Sequence, residues 1–246
     1  MEIVGRGFIA TNLATIAGRH PDAVVLAAGV SSAVATSDAG FRRERQLVEQ
    51  TVERCAREGR RLVFFSTASS GMYGATGCTG REDDPVTPRN PYAEHKWRLE
   101  RLIQRSGTDY LVARLSHLVG AHQRPHQLIP ALVGQLRTGR IQIRSGTRRD
   151  LLEVRDMVRI TNALLSGGVS RQVVNVASGV PVPIEVIVDY LEMRLGLFAE
   201  REYLSASDGG SVSIDKLRRL VPGFHFEAAY YRGALGAYLN SLTPRT

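Results

Sequence analysis

The chain has 246 residues, 32 of them basic and 24 acidic for a formal charge of +8, with 43% hydrophobic and 23% charged residues. That is ordinary globular composition with ample chain for a buried core, and it excludes disorder, collagen and coiled coil. No run approaches 18 uninterrupted apolar residues, so no membrane span is expected.

In chain order, Glu2-Ile3-Val4 predicts a short strand running into Gly5-Arg6-Gly7. Residues 8–18 carry apolar side chains at helical spacing and stop at Gly18. Ala23–Ala28 is a continuous apolar run, the mark of a parallel strand covered on both faces. A helix of roughly 40–58, a buried strand Arg61–Phe65, an amphipathic helix 92–106 and a strand Tyr110–Leu115 follow. This alternation predicts an α/β fold, a doubly wound parallel sheet of Rossmann type, with its ligand crevice at the C-terminal ends of the strands. The rhythm changes after residue 177, with prolines at 181 and 183, a helix at about 183–195 and another near Ser213–Leu220. The expected division is a cofactor-binding domain over 1–177, with 117–150 contributing to the substrate pocket, and a smaller substrate lobe over 178–246.

The early charge and glycine turn of the N-terminus do not read as a signal peptide. Cys55 and Cys78 make neither a metal spacing nor a disulfide framework, so a reducing cytoplasm is the expected compartment. Only Lys96 and Lys216 are lysines; the other basic residues are arginines spread along the chain rather than gathered on one element, so no nucleic-acid partner is expected. His122 and His126 lie four apart without a third ligand, so no metal is expected either.

Gly5-x-Gly7-x-x-Ala10 lies between a strand and a helix, where glycines let the backbone approach a pyrophosphate. A tight βα turn that binds nothing has the same pattern. Tyr92 and Lys96, four apart after Pro91, share one helix face, and an ammonium beside a phenol lowers the phenol's pKa toward neutrality. Upstream, Phe64-Phe65-Ser66-Thr67-Ala68-Ser69-Ser70-Gly71-Met72-Tyr73-Gly74 sets hydroxyls just past a strand end. Hydroxyl, tyrosine and lysine on one crevice can move a proton while a hydride moves elsewhere.

These segments, together with His20–Ala28, Glu82-Asp83-Asp84-Pro85, Arg114–Gly120, Arg149–Asp156 and Asn175–Gly179, follow one another in a familiar order. The chain resembles the extended short-chain dehydrogenase/reductases of the NAD-dependent epimerase/dehydratase family, which act on nucleotide sugars. The resemblance implies that Tyr92 is the catalytic acid/base and that Lys96 holds the nicotinamide ribose. It places a substrate-binding hydroxyl at Thr67 counting from the strand, or at Ser69 counting back from Tyr73. It implies a cofactor lying on Gly5, Arg6, Gly7, Phe8, Ile9, Ala27, Ala28, Gly29, Tyr92, Lys96 and Leu118. Substrate contacts would come from His117, where the family usually has Asn, from Gln127, and from Arg149, whose fork suits a diphosphate. A surface ion pair is the alternative for Arg149.

The chain departs from the family after the first helix, where Gly18-Arg19-His20-Pro21 leads straight to Ala23 and two strands are missing. The missing segment normally carries the acid that holds the adenosine ribose and selects NAD. Without it, and with Arg6 and Arg19 nearby, NADP(H) is favoured and NAD(H) is the alternative. The first strand should become a sheet edge. A half-built adenosine site suits an exchanging reductase better than an epimerase that retains its cofactor. Thr67 is followed by Ala68 and Ser69, not by the Asp-Glu of the family's 4,6-dehydratases, and Cys78 is a poor candidate for a second acid/base. The expected activity is reduction of a nucleotide-diphosphate keto-deoxysugar, at C4. The alternatives are a nucleotide-sugar 4-epimerase with retained NAD and a non-catalytic binder of sugar nucleotide or NADP. Relatives imply a homodimer through the helices at about 40–58 and 92–106.

Overall fold

Five parallel strands form the central sheet in a computed structural model that describes residues 1–30, 37–69, 71–73, 78–205 and 212–242. They are β1 (Glu2–Val4), β2 (Ala23–Leu26), β3 (Arg61–Thr67), β4 (Tyr110–Leu115) and β8 (Gln172–Val176), side by side in that order. The pairs Ile3–Val25, Val63–Leu111 and Ala113–Val174 fix the register. The strand β1 pairs on one side only, with β2, and no strand lies beyond it among the described residues. The edge expected from the shortened N-terminal half is therefore present. Ser70 and Gly74 of the hydroxyl-rich loop lie outside the described residues.

Helices cover both faces because the inner strands are apolar on both. Val24, Leu26, Leu62, Phe64 and Val112 pack against α2 (Asp38–Glu58) and α3 (Pro91–Arg105). Val25, Val63, Phe65, Leu111 and Ala113 pack on the other face with α1 (Phe8–Leu13), α5 (Val154–Ser166) and α7 (Asp215–Leu220). Helix α2 is capped by the Ser37 hydroxyl and ends at Gly59, whose φ is 63°. Asn90 Oδ1 accepts from the Ala93 amide at 2.8 Å and Pro91 opens α3, an arrangement that fixes where Tyr92 emerges.

The helix expected over 8–18 is shorter than its pattern. It keeps α geometry only through Leu13, and Ala14–Arg19 tightens to a 3₁₀ turn. Thr15, whose hydroxyl donates to the Asn12 carbonyl at 2.9 Å, and Gly18 both weaken the α conformation there.

Beyond β4 the chain builds β5 (His117–Val119), α4 (Leu128–Arg137), β6 (Arg140–Ser145) and β7 (Arg148–Glu153). After β8 come β9 (Pro181–Pro183), α6 (Ile184–Leu195), β10 (Glu200–Ser205) and α8 (Tyr230–Leu242). Strands β5, β7 and β9 form a three-stranded sheet, and β6 pairs with β10. A separate core of Ile129, Leu136, Ile143, Ile187, Leu191 and Leu235 holds these elements together.

Gly5 is dictated by the fold. Its φ is 139°, and a Cβ there would stand 2.5 Å from the Ala27 carbonyl oxygen of the neighbouring turn. The variant Gly5→Ala should lose about 1–3 kcal/mol or more, read as a lowered urea midpoint. An unchanged midpoint would show that β1 can shift along β2.

Candidate functional site

The C-terminal ends of β1–β4 open into a crevice of about 610 Å³. Arg6, Gly7, Phe8 and Ile9 line one wall, Ala27, Ala28 and Gly29 the next, and Thr67, Ser69, Tyr92 and Lys96 the floor. His117, Leu118 and Gln127 close the far side. Residues far apart in sequence thus converge on one cavity, as parallel topology requires of strand ends. Two expected residues stand apart from that lining. Gly5 lies beneath the wall, against Ala27, and Arg149 donates to the Arg148 carbonyl at 2.7 Å.

Gly7 differs from Gly5. It precedes α1 with no side-chain cap on the first-turn amides, and a Cβ there would meet nothing closer than the Arg124 guanidinium at 3.9 Å. Arg124 belongs to a loop held by Gln123, which bonds the Gly120 amide and Leu118 carbonyl, and by Gln127, which accepts from the Arg124 amide. Arg6, within the glycine turn, and Arg124, beside Gly7, both line the crevice there.

Tyr92 and Lys96 stand on one face of α3, with the ammonium 5.9 Å from the phenol ring centroid. The expected lowering of the Tyr92 pKa does not occur. Burial pushes the phenol above its ordinary value, and the pull of Lys96 only partly offsets that. A smaller contribution in the same direction comes from a residue that the sequence did not single out. Glu44 of α2, 3% exposed, places Oε1 2.6 Å from Lys96 Nζ and Oε2 3.0 Å from His95 Nε2. Its Oε2 also accepts the Val30 amide at 3.1 Å. The carboxylate is held below its usual range by Lys96 and His95 despite its burial, and Lys96 is held as an ammonium. Within Phe41-Arg42-Arg43-Glu44-Arg45, Glu44 reads as one charge on a solvated helix face. The nearest sequence signal is Gly29, where a Cβ would meet Glu44 Oε1 at 2.2 Å.

Thr67 is buried and its hydroxyl accepts from the Ser69 amide at 3.1 Å. The hydroxyls of Ser66 and Ser69 are buried in the crevice wall without a partner among the described residues. Buried hydroxyls cost free energy unless something bonds them, so the wall is built for a polar guest. A nicotinamide ribosyl diphosphate fits that wall, with arginines by the glycine turn and orphan hydroxyls by Tyr92. Among the described residues the sheet supplies no strand beyond β1 to enclose an adenosine.

His117 is half-buried, and burial with the nearby Arg149 charge lowers its pKa to about 4. Its imidazole is neutral at pH 7. Below the ordinary value of about 6.5 the unfolded chain takes up a proton that the folded chain refuses, so stability falls as pH drops from there toward 4. His117→Asn should lose less urea stability between pH 7 and pH 4.5 than the wild type. Equal losses would mean that His117 is solvated.

Beneath the floor, Arg114 of β4 is buried and bidentate to Glu100 of α3, with contacts of 2.7–3.1 Å. It also donates to the Tyr73 hydroxyl at 2.7 Å, which donates to Asn175 Oδ1 at 2.6 Å. This network ties the end of the hydroxyl-rich loop to β4 and β8. Among the described residues no group of three or more His, Cys, Asp or Glu side chains could hold a metal. Nor is any helix among them long and apolar enough to cross a membrane.

Comparison with known proteins gives the same frame. Solved structures of similar fold include RMD from Pseudomonas aeruginosa complexed with NADPH, at 22% identity and TM-score 0.80 over 97% of each chain. MoeE5 in complex with UDP-glucose and NAD superposes with TM-score 0.82 at 23% identity, over 98% of this chain and 97% of that one. A dTDP-D-glucose 4,6-dehydratase of Bos taurus is 29% identical over 50% of this chain and 37% of its own length. A dTDP-6-deoxy-L-talose 4-dehydrogenase (NAD(P)(+)) of Kitasatospora kifunensis is 27% identical over 61% of this chain and 51% of its own. The chain thus spans about half the length of these curated relatives or less. The model of the NAD dependent epimerase/dehydratase family matches residues 9–177, and the chain belongs to that family.

Proposed function

We propose that the protein reduces the keto group of a nucleotide-diphosphate keto-deoxysugar, at C4, using NADPH. The observation that carries this is the crevice floor, where Tyr92 and Lys96 line one cavity with Thr67 and the buried hydroxyls of Ser66 and Ser69, and burial favours the protonated phenol. A bound nicotinamide would supply the hydride. Tyr92 then donates its phenolic proton to the oxygen that gains negative charge, and the hydroxyls of Ser66, Ser69 and Thr67 orient that oxygen. Lys96 binds the ribose beside it. Among the described residues the crevice wall carries one carboxylate, Glu44, already tied to three partners, so a second acid/base for water loss is not at hand. An epimerase begins by removing a proton from a hydroxyl, which a phenol held protonated does poorly. The curated relative named for a 4-dehydrogenase of a deoxysugar nucleotide fits the choice of C4.

In this reading Arg6 and Arg124 contact the cofactor phosphates and give NADP(H) its preference over NAD(H). His117, Gln127 and Arg149 face the sugar nucleotide, residues 1–177 bind cofactor, and 178–246 with 117–150 bind substrate. Assembly as a homodimer through α2 and α3 in the cytoplasm belongs to the same proposal. The test is incubation with NADPH and a nucleotide-linked 4-keto-6-deoxysugar, with the sugar product identified by NMR. Substrate-dependent NADPH oxidation with a new C4 hydroxyl is expected. Interconversion of C4 epimers without added cofactor would establish the epimerase instead.

A further inference from the structure

We propose that Glu44 is a positioning residue that sets this site for proton donation: by pairing with Lys96 it offsets part of the ammonium's pull on the Tyr92 phenol and so favours the protonated phenol at the start of each turnover. The inference deepens the reduction proposed above and rests on it for the direction of reaction.

The geometry comes from three elements. Glu44 reaches from α2 across the end of β2, over Gly29, and its two oxygens meet Lys96 at 2.6 Å, His95 at 3.0 Å and the Val30 amide at 3.1 Å. Lys96 is 4% exposed; besides Glu44 it has the Phe65 carbonyl at 3.3 Å and the Phe64 ring at 5.0 Å. Glu100, further along α3, already pairs bidentately with Arg114. His95 stacks on Phe41 with centroids 4.4 Å apart, which holds the far side of the carboxylate. Thus, among the described residues, Lys96 pulls on the phenol as a cation and Glu44, paired with it, opposes that pull in part, beneath the larger effect of burial. A bare ammonium at that position would ease loss of the phenolic proton and so favour abstraction from a hydroxyl more than the paired one does. The neutralised pair leaves the phenol as an acid. Donation breaks the Tyr92 O–H bond, forms an O–H bond on the carbonyl oxygen, whose carbon would take the hydride that a bound nicotinamide supplies, and leaves a phenolate that solvent reprotonates.

The test needs no substrate. Phenolate absorbance is titrated in the 246-residue chain, with Tyr92→Phe subtracted to isolate Tyr92 from the other seven tyrosines. Glu44→Gln should move the Tyr92 transition down by about one pH unit or more, while Glu44→Asp, which keeps the charge, should stay within about half a unit of wild type. Equal transitions in wild type and Glu44→Gln, or equal shifts in Glu44→Gln and Glu44→Asp, would overturn the proposal. The chain has only two lysines, so side-chain ¹⁵N labelling gives a second readout in the unaltered protein. Pairing with Glu44 predicts that Lys96 stays an ammonium to higher pH than Lys216, whose burial lowers it. Lys96 losing its proton first would contradict the pairing. If the Tyr92 shift is found but no keto-sugar is reduced, the reduction fails and the role of Glu44 stands.

Discussion

Tyr92→Phe should lower turnover of the keto-sugar by about 100- to 10,000-fold while leaving NADPH affinity within about twofold. The phenol is the proton donor at the crevice floor, and the ring that packs beside Lys96 survives the substitution. Steady-state rates and a cofactor titration on the same preparation separate the two effects. A loss of less than tenfold would mean that the proton comes from elsewhere. Lys96→Met should also lower turnover, but it strands Glu44 as a buried anion with only His95 and an amide, so its stability must be measured alongside.

Arg114→Met should cost about 3–5 kcal/mol of stability, because it leaves the Glu100 carboxylate buried, 1% exposed, without its cation. The same change removes the donor to Tyr73 and so loosens the loop that carries Ser69. Urea unfolding of Arg114→Met and of Arg114→Met/Glu100→Leu tests this. The double variant should recover much of the loss, since replacing both charges by apolar groups avoids the unpaired anion. A single-variant loss below about 1 kcal/mol would show that water reaches Glu100.

The parts of this molecule that were legible in its sequence are those whose cause is local. Val24–Leu26 and Leu62–Phe65 announce buried strands because every side chain in the run is apolar, and both faces of the sheet are covered. Tyr92 and Lys96 announce themselves because one turn of one helix aligns them. The edge position of β1 followed from the short connection at Gly18–Pro21 once it was set against the longer pattern of the family that the chain resembles. Glu44 lay hidden because its partner is 52 residues away and its neighbours Arg42, Arg43 and Arg45 make it look solvated. Arg114 likewise read as part of a strand, and nothing in Tyr110–Leu115 names Glu100 or Tyr73 as its partners. The C-terminal lobe was the least legible. β6 alternates exposed and buried residues in Arg140–Ser145, but its partner β10 follows only after β7, α5, β8, β9 and α6. Pairing at that distance leaves no local pattern.

Whether the shortened N-terminal half still holds a nicotinamide cofactor is decided most directly by titrating the purified protein with NADPH and with NADH, following nicotinamide fluorescence. The arginines beside Gly7 and the orphan hydroxyls of Ser66 and Ser69 predict saturable binding of NADPH, tighter than NADH and weakened by Arg6→Ala. Absence of binding by either dinucleotide at millimolar concentration would contradict both the cofactor site and the proton-donor role given to Tyr92.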